Sequence, residues 1–187
     1  MKVGFIGVGN MGGPMCHNII KNTNHDVVVF DLNPAAVKVC TDLGASAAAS
    51  VADVASRCDV VITSLPMPKI VEEVALGAGG IAANAKPGTV YIDLSTNSPA
   101  TARRVAEGMK AKGIEMLEAP VSGGTSRAKD GTIVIMVGGD AKVFEQNLPL
   151  LKSFSGEVIH LGDIGFGSVA KLINNMLAFC NAAAAAE

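Results

Sequence analysis

Three stretches of this chain bring together residue types that can hold or transform a small anionic ligand. The first is "GFIGVGNMGGP", Gly4 to Pro14, which sets Gly7, Gly9 and Gly12 in G-x-G-x-x-G order. Glycine weakens a regular element by roughly 0.5–1 kcal/mol relative to alanine, so such a cluster marks a backbone that must approach something closely. The second is "APVSGGT", where Ser122, Gly123 and Gly124 offer a hydroxyl and consecutive unhindered N–H groups. These residues suit a carboxylate-binding nest, and equally a plain flexible turn. The third is Lys171 in "GFGSVAKLINN", with Asn174 and Asn175 close behind it. A partly buried lysine whose pKa is lowered can exchange a proton with a substrate hydroxyl, although most helical lysines are simply solvated.

The glycine loop becomes specific through its flanks. A dinucleotide fingerprint needs a strand before it, a helix after it and an acid about 20 positions on, at the end of the second strand. Here "KVGFIG" precedes, a helical pattern from Asn10 to about Asn22 follows, and Asp31 closes "VVVFD" 19 positions beyond Gly12. Gly7 would permit the turn, Gly9 would let the main chain reach a pyrophosphate, and Gly12 would let the helix pack on its strand. Asp31 would accept hydrogen bonds from an adenosine ribose diol and repel a 2′-phosphate. No Arg follows it in "DLNP", so NAD is expected over NADP. Asp31 could instead cap the helix opening at Pro34, a task for which Asn33 stands nearer. No G-x-x-x-x-G-K-[ST] loop is found, which argues against an ATPase.

The elements that must position these residues alternate between short β-rich runs and longer helical patterns, which predicts an α/β fold with a mostly parallel sheet covered by helices. The expected strands are "KVGFIG", "DVVVFD", "DVVITSL", "TVYIDLS", "IEMLEAP", "TIVIMVGG" and "EVIHLG". Several are nearly continuous apolar runs, as in strands buried on both faces. Helices are expected from about Asn10 to Asn22, Pro34 to Leu43, Val51 to Arg57, Pro68 to Ala75, Pro99 to Lys112 and Ala141 to Leu151. Asn33, Ser50, Ser98 and Asp140 stand where N-caps belong. "GAGG" (Gly77 to Gly80) and "AKPG" (Ala85 to Gly88) read as surface turns.

Ligands collect at the carboxyl ends of strands in such sheets, which draws attention to Leu65 and Pro66, to Ser95 and Thr96, and to "APVSGGT". From about Ser168, Val169, Leu172, Ile173, Met176, Leu177 and Cys180 follow helical spacing, with Lys171 about 100° round from that stripe. The helix then runs into "NAAAAAE" without Gly or Pro. This pattern suggests the front part of a longer protein, with a dinucleotide-binding domain over 1–163 and the start of an interdomain helix over 164–187.

Composition narrows the classes. The chain has 187 residues, 49% hydrophobic and 17% charged, with a formal net charge of −2. These values suit a globular protein and argue against nucleic-acid binding. The apolar runs look strand-sized, below the roughly 18 residues of a membrane span, so no membrane partner and a cytoplasmic setting are expected. Cys16, Cys40, Cys58 and Cys180 are far apart without CxxC spacing, so they are expected to be reduced and mostly buried, with no metal site. His17, His25 and His160 are isolated and read as structural or surface residues.

Together, "GFIGVGNMGGPM", "LP" at Leu65–Pro66, "DLST" at Asp93–Thr96, "EAPVSGG" at Glu118–Gly124 and "GFGSVAKLINN" at Gly165–Asn175 resemble the β-hydroxyacid dehydrogenase family. Its 3-hydroxyisobutyrate dehydrogenases and tartronate semialdehyde reductases are the most similar in motif. The resemblance covers the whole chain and implies a Rossmann-like doubly wound domain that binds NAD. It implies cofactor contacts from Gly7, Gly9, Asn10, Met11, Gly12, Asp31, Leu65, Pro66 and Thr96. It implies that Ser122, Gly123 and Gly124 hold the substrate carboxylate, that Lys171 transfers the proton and that Asn175 is the orienting partner of Lys171 on the substrate-binding side. The implied reaction is oxidation of a small 3-hydroxy acid to its semialdehyde, or the reverse, with reduction of 2-hydroxy-3-oxopropionate as the alternative. A non-enzymatic dinucleotide-binding module, or an inactive fragment, also remains open.

Two departures qualify the likeness. Related 6-phosphogluconate dehydrogenases place a His where Asn174 stands, which disfavours decarboxylation of a sugar phosphate. Family members also continue for roughly another hundred residues, through a helical domain that closes the cleft and forms a homo-oligomer.

Overall fold

The computed structural model describes residues 1–187. The apolar runs become strands whose alternate side chains fill two different cores. In the first strand, β1 (Lys2–Ile6), Val3 and Phe5 join a buried cluster of 25 residues on one face, whereas Ile6 joins one of 14 on the other. The same alternation holds in β2 (Asp26–Phe30), where Val27 and Val29 face the first cluster and Val28 the second. Burial on both faces explains why these runs read as continuous rather than alternating.

The sheet has nine strands. Beside β1 and β2 stand β3 (Ser46–Ala47), β4 (Val60–Thr63), β5 (Val90–Asp93), β6 (Glu115–Glu118), β7 (Val121–Ser122), β8 (Ile133–Gly139) and β9 (Ser155–His160). The order is β3-β2-β1-β4-β5-β6-β8-β7, with β9 on β8. Pairing is parallel from β3 to β6; β8 runs antiparallel to β6 and β7. This is the expected doubly wound, mostly parallel α/β sheet. From β1 the chain winds outward through β2 to β3 and then returns to β4 on the other side of β1, and this reversal opens a crevice at the carboxyl end of β1.

Helices cover both faces. They are α1 (Gly12–Asn22), α2 (Pro34–Asp42), α3 (Val51–Arg57), α4 (Pro68–Leu76), α5 (Ile81–Asn84), α6 (Pro99–Lys110), α7 (Gly124–Asp130), α8 (Ala141–Lys152) and α9 (Phe166–Ala186). All four expected caps form. Asn33 accepts the Ala35 N–H, Ser50 that of Asp53, Ser98 that of Thr101, and Asp140 those of Lys142 and Val143. Each relieves an otherwise unpaired first-turn donor.

Four small elements depart from the sequence reading. The strands β3 and β7 are two residues long, and α5 lies between two stretches read as turns. The fourth, α7, begins within the glycine pair itself. Its C-terminus is closed by Gly131 in the left-handed region, and Asn18 of α1 donates to the Ala128 carbonyl at 2.9 Å. Tertiary contact therefore supplies what "GTSRAKD" lacks in periodicity.

The last helix brings a further correction. With 21 residues, α9 is long and apolar enough, by length and composition, to cross a membrane, contrary to the expectation that all apolar stretches are strand-sized. Its apolar residues stand at helical spacing among small and polar ones, so no continuous apolar run marks it. Only Gly167 and Ser168 of this helix are buried; Leu172, Ile173, Met176 and Leu177 are exposed. Cys16, Cys40 and Cys58 are buried and Cys180 is exposed. His160 is structural: its Nε2 lies 2.8 Å from the Gly139 carbonyl and its ring stacks on Phe144.

Candidate active site

A single cleft of about 1280 Å³ lies along the carboxyl ends of the parallel strands. Gly7, Gly9, Asn10, Met11, Gly12, Asp31, Leu65, Pro66, Thr96, Gly123, Gly124 and Lys171 all line it. Residues separated by up to the length of the domain thus share one cavity.

The glycine loop is shaped by clearance. Gly7 has φ +88°, and its N–H donates to the Phe30 carbonyl at 3.0 Å; a side chain there would overlap the Ser64 carbonyl. A Cβ on Gly12 would overlap the Gly7 carbonyl, and one on Gly13 would lie 2.8 Å from that of Val8. At Gly9, by contrast, a Cβ would meet nothing within 4 Å, because this residue faces the open cleft. No side chain caps α1, and no acid stands in its first turn. The helix therefore directs the positive end of its dipole at the cleft. A bare backbone beside an uncapped helix N-terminus fits the pyrophosphate of a dinucleotide.

Asp31 ties this loop to the end of β2. Its Oδ2 accepts the Val8 N–H at 2.8 Å and its Oδ1 accepts that of Asn33 at 2.8 Å. Asn33, not Asp31, caps α2, which settles the alternative left open by spacing alone. Each carboxylate oxygen retains capacity for a second donor, such as a ribose hydroxyl.

At the other end, the Leu65 N–H donates to Ser95 Oγ at 2.9 Å, which holds the Leu65–Pro66 turn against the turn after β5. Beneath lies Asp93, missed in the sequence reading as anything beyond part of a motif. Its Oδ1 accepts from Thr63 Oγ1 (2.8 Å) and the Ser95 N–H (3.1 Å), and its Oδ2 from Asn97 Nδ2 (2.6 Å). Burial pushes the Asp93 carboxyl up to about 6; these hydrogen bonds oppose the rise and neighbouring Glu118 adds to it.

Lys171 lies half-buried on α9, and burial lowers its pKa below the ordinary lysine value. Ser122 and Asn175 do not line the cleft. Instead Ser122 Oγ accepts from Asn174 Nδ2 at 3.1 Å, and Asn175 makes no hydrogen bond to Lys171. Glu118, at the end of β6, is the second group the sequence reading passed over. Its sequence signals were an acid inside the apolar run "EMLEA" and its place at the head of the motif "EAPVSGG", neither of which assigned it a role.

The fold and cleft define a dinucleotide-binding domain of the dehydrogenase type. Residues 2–162 match the family described as the NAD binding domain of 6-phosphogluconate dehydrogenase. The chain belongs to the β-hydroxyacid dehydrogenase family. It is 43% identical over 187 residues to 2-(hydroxymethyl)glutarate dehydrogenase of Eubacterium barkeri, covering all of this chain and 62% of that one. It is 45% identical over 175 residues to 3-hydroxyisobutyrate dehydrogenase of Pseudomonas aeruginosa, covering 94% of this chain and 58% of that one. Among solved structures, Mycobacterium tuberculosis 3-hydroxyisobutyrate dehydrogenase with L-serine superposes with a TM-score of 0.89 at 37% identity, covering 95% of this chain and 60% of that one. The chain thus spans about three fifths of the length of the relatives it matches.

Proposed function

We propose that this chain is the NAD-binding, proton-transferring part of a 3-hydroxyacid dehydrogenase, with 3-hydroxyisobutyrate as the favoured substrate. The observation that carries the reading is the placement of Lys171, an amine with a lowered pKa, in the same cleft as the bare glycine loop. A cofactor-storage module would have no use for that amine.

Three ligand names support the substrate class. 3-Hydroxyisobutyrate, 2-(hydroxymethyl)glutarate and L-serine, named for the relatives above, each carry a primary hydroxyl on the carbon next to the one bearing the carboxylate. Bound in the cleft, NAD would accept hydride from that hydroxyl-bearing carbon. Lys171 takes the hydroxyl proton during oxidation and returns it in the reverse direction. The N–H groups of Gly123 and Gly124 hold the substrate carboxylate, and the unpaired end of α1 holds the pyrophosphate. Asp31, with two backbone donors already fixed, orients the ribose and disfavours a 2′-phosphate. Homo-oligomerisation and a cytoplasmic setting belong to the same proposal.

Titration of the chain with NADH and with NADPH, followed by nicotinamide fluorescence, tests the cofactor assignment: tighter binding of NADH is expected. The polypeptide as its gene encodes it is then assayed with 3-hydroxyisobutyrate, 2-(hydroxymethyl)glutarate, L-serine and glycerate, the last being the reduced form of 2-hydroxy-3-oxopropionate. Turnover fastest with 3-hydroxyisobutyrate is expected. Binding of NADH with no turnover of any acid would replace this reading with that of a binding module.

A further inference from the structure

Of the 21-residue α9 only Gly167 and Ser168 are buried, so its first turn, helped by the Asn174–Ser122 hydrogen bond one turn further on, fixes where Lys171 stands. That turn is gripped by one side chain. Glu118 is 2% exposed, 47 to 50 residues upstream, and both its carboxyl oxygens are used. Oε1 accepts the N–H groups of Gly165 and Gly167, the latter at 2.9 Å, and Oε2 accepts from Ser168 Oγ.

The surroundings are cut to fit this carboxyl. A Cβ on Gly138 would lie 2.5 Å from Glu118 Oε1, and one on Gly167 would lie 2.5 Å from the Met136 carbonyl. Gly165 enters the helix at φ +106°. The "GFG" stretch is therefore glycine-rich because the backbone must turn sharply and close onto Glu118. Arg103 Nε donates to the Ile164 carbonyl at 3.3 Å and steadies the approach. The carboxyl also faces the positive end of the α9 dipole. Lys171 follows Gly167 by four residues, about one helical turn, and so rises from directly above the gripped backbone.

We propose that Glu118 is the positioning residue for Lys171: by binding the first turn of α9 to the end of β6, it sets the distance between the Lys171 amine and the substrate hydroxyl. This deepens the function proposed above and rests on the reading of Lys171 as the proton-transfer group. Misplacement of a reacting group by about 1 Å can cost on the order of 100-fold in rate. Glu118 is buried and does not line the cleft, so its loss acts on turnover and leaves cofactor binding alone.

The test compares Glu118→Ala, Glu118→Gln and Ser168→Ala. In the 187-residue chain, hydrogen exchange across Gly165–Asn175 is expected to accelerate about tenfold or more in Glu118→Ala, the consequence of losing a grip worth at least one ordinary hydrogen bond. Exchange in β1 and β4 and the NADH affinity should stay as in wild type. In the polypeptide as its gene encodes it, kcat should fall about 100-fold with KM little changed. Glu118→Gln keeps the carbonyl acceptor and should restore most of both losses. Should Glu118→Ala fail to fold, Ser168→Ala, which removes one donor, must show the same local loosening at smaller amplitude. Unchanged exchange at Gly165–Asn175, equal loosening of β1 and β4, or a freed helix with normal kcat would each overturn the proposal. Normal turnover in Lys171→Ala, by contrast, would sink the proton-transfer reading, while exchange in the Glu118 variants would still decide whether Glu118 anchors the helix.

Discussion

Asp93 and Glu118 stand opposite one another in register at the carboxyl ends of the adjacent parallel strands β5 and β6. Both are buried, at 1% and 2% exposure, and each fastens a different wall of the cleft. Asp93 holds the Ser95 turn, and through Ser95 Oγ the Leu65 backbone; Glu118 holds the start of α9. Two acids at neighbouring positions in the sheet thus frame the space in which the cofactor and Lys171 would meet.

Replacing Lys171 with alanine should lower kcat by at least ~100-fold, the scale of general acid–base assistance. NADH affinity should change little, because the glycine loop and Asp31 are untouched. Steady-state kinetics on the polypeptide as its gene encodes it, paired with NADH fluorescence titration, provides the check. A rate near that of wild type would remove Lys171 from the mechanism.

Asp31→Ala removes the acceptor for both the Val8 and Asn33 N–H groups along with the ribose-facing carboxylate. NADH affinity should fall about tenfold, the scale expected for hydrogen bonds to a charged group. NADPH affinity should fall less, because the repulsion of its 2′-phosphate disappears too. Parallel titrations with the two nucleotides measure the ratio. An unchanged ratio would refute the assignment of NAD over NADP.

Gly9 and Gly12 make a contrasting pair. A methyl group on Gly12 would overlap the Gly7 carbonyl, so Gly12→Ala should cost about 1–3 kcal/mol of stability as overpacking. Gly9→Ala meets open cleft and should stay within ~0.5 kcal/mol of wild type in urea unfolding. It should nonetheless weaken NADH binding at least ~tenfold, or 1.4 kcal/mol, by filling the space a pyrophosphate needs. Full NADH affinity in Gly9→Ala would mean that the phosphate lies elsewhere.

Asp93 gives the fold a dependence on pH. The native state keeps its proton up to about pH 6, whereas the unfolded chain releases it near the ordinary value of 3.8. Between those values the folded state binds the extra proton, so this group's contribution to stability is greatest in acid and is lost as pH rises towards 6. The loss is on the order of 2–3 kcal/mol by linkage. Asp93→Asn stays neutral throughout and should show a flatter profile over that range. Urea midpoints of both proteins from pH 4 to pH 7 measure the difference; equal slopes would assign the raised carboxyl to another residue.

What could be read from residue order alone was local. Glycine spacing around Gly7, Gly9 and Gly12, the acid at Asp31, the caps at Asn33, Ser50, Ser98 and Asp140, and the two apolar periods depend on neighbours within a few turns of chain or on one strand–helix–strand unit. They were enough to place the parallel sheet, its longer helices and the glycine-loop side of the cleft, but not α5, α7 or the positions of Ser122 and Asn175 outside the cleft. What needed the tertiary structure was pairing over distance. The grip of Glu118 on a helix 47 residues away, the carboxyl pair across β5 and β6, the bond from Asn174 to Ser122, and the short helix α7 held by Asn18 leave no periodic trace. A buried acid inside an apolar run announces only that some partner exists. Which partner it finds is decided when the sheet closes and water is excluded from both carboxyls.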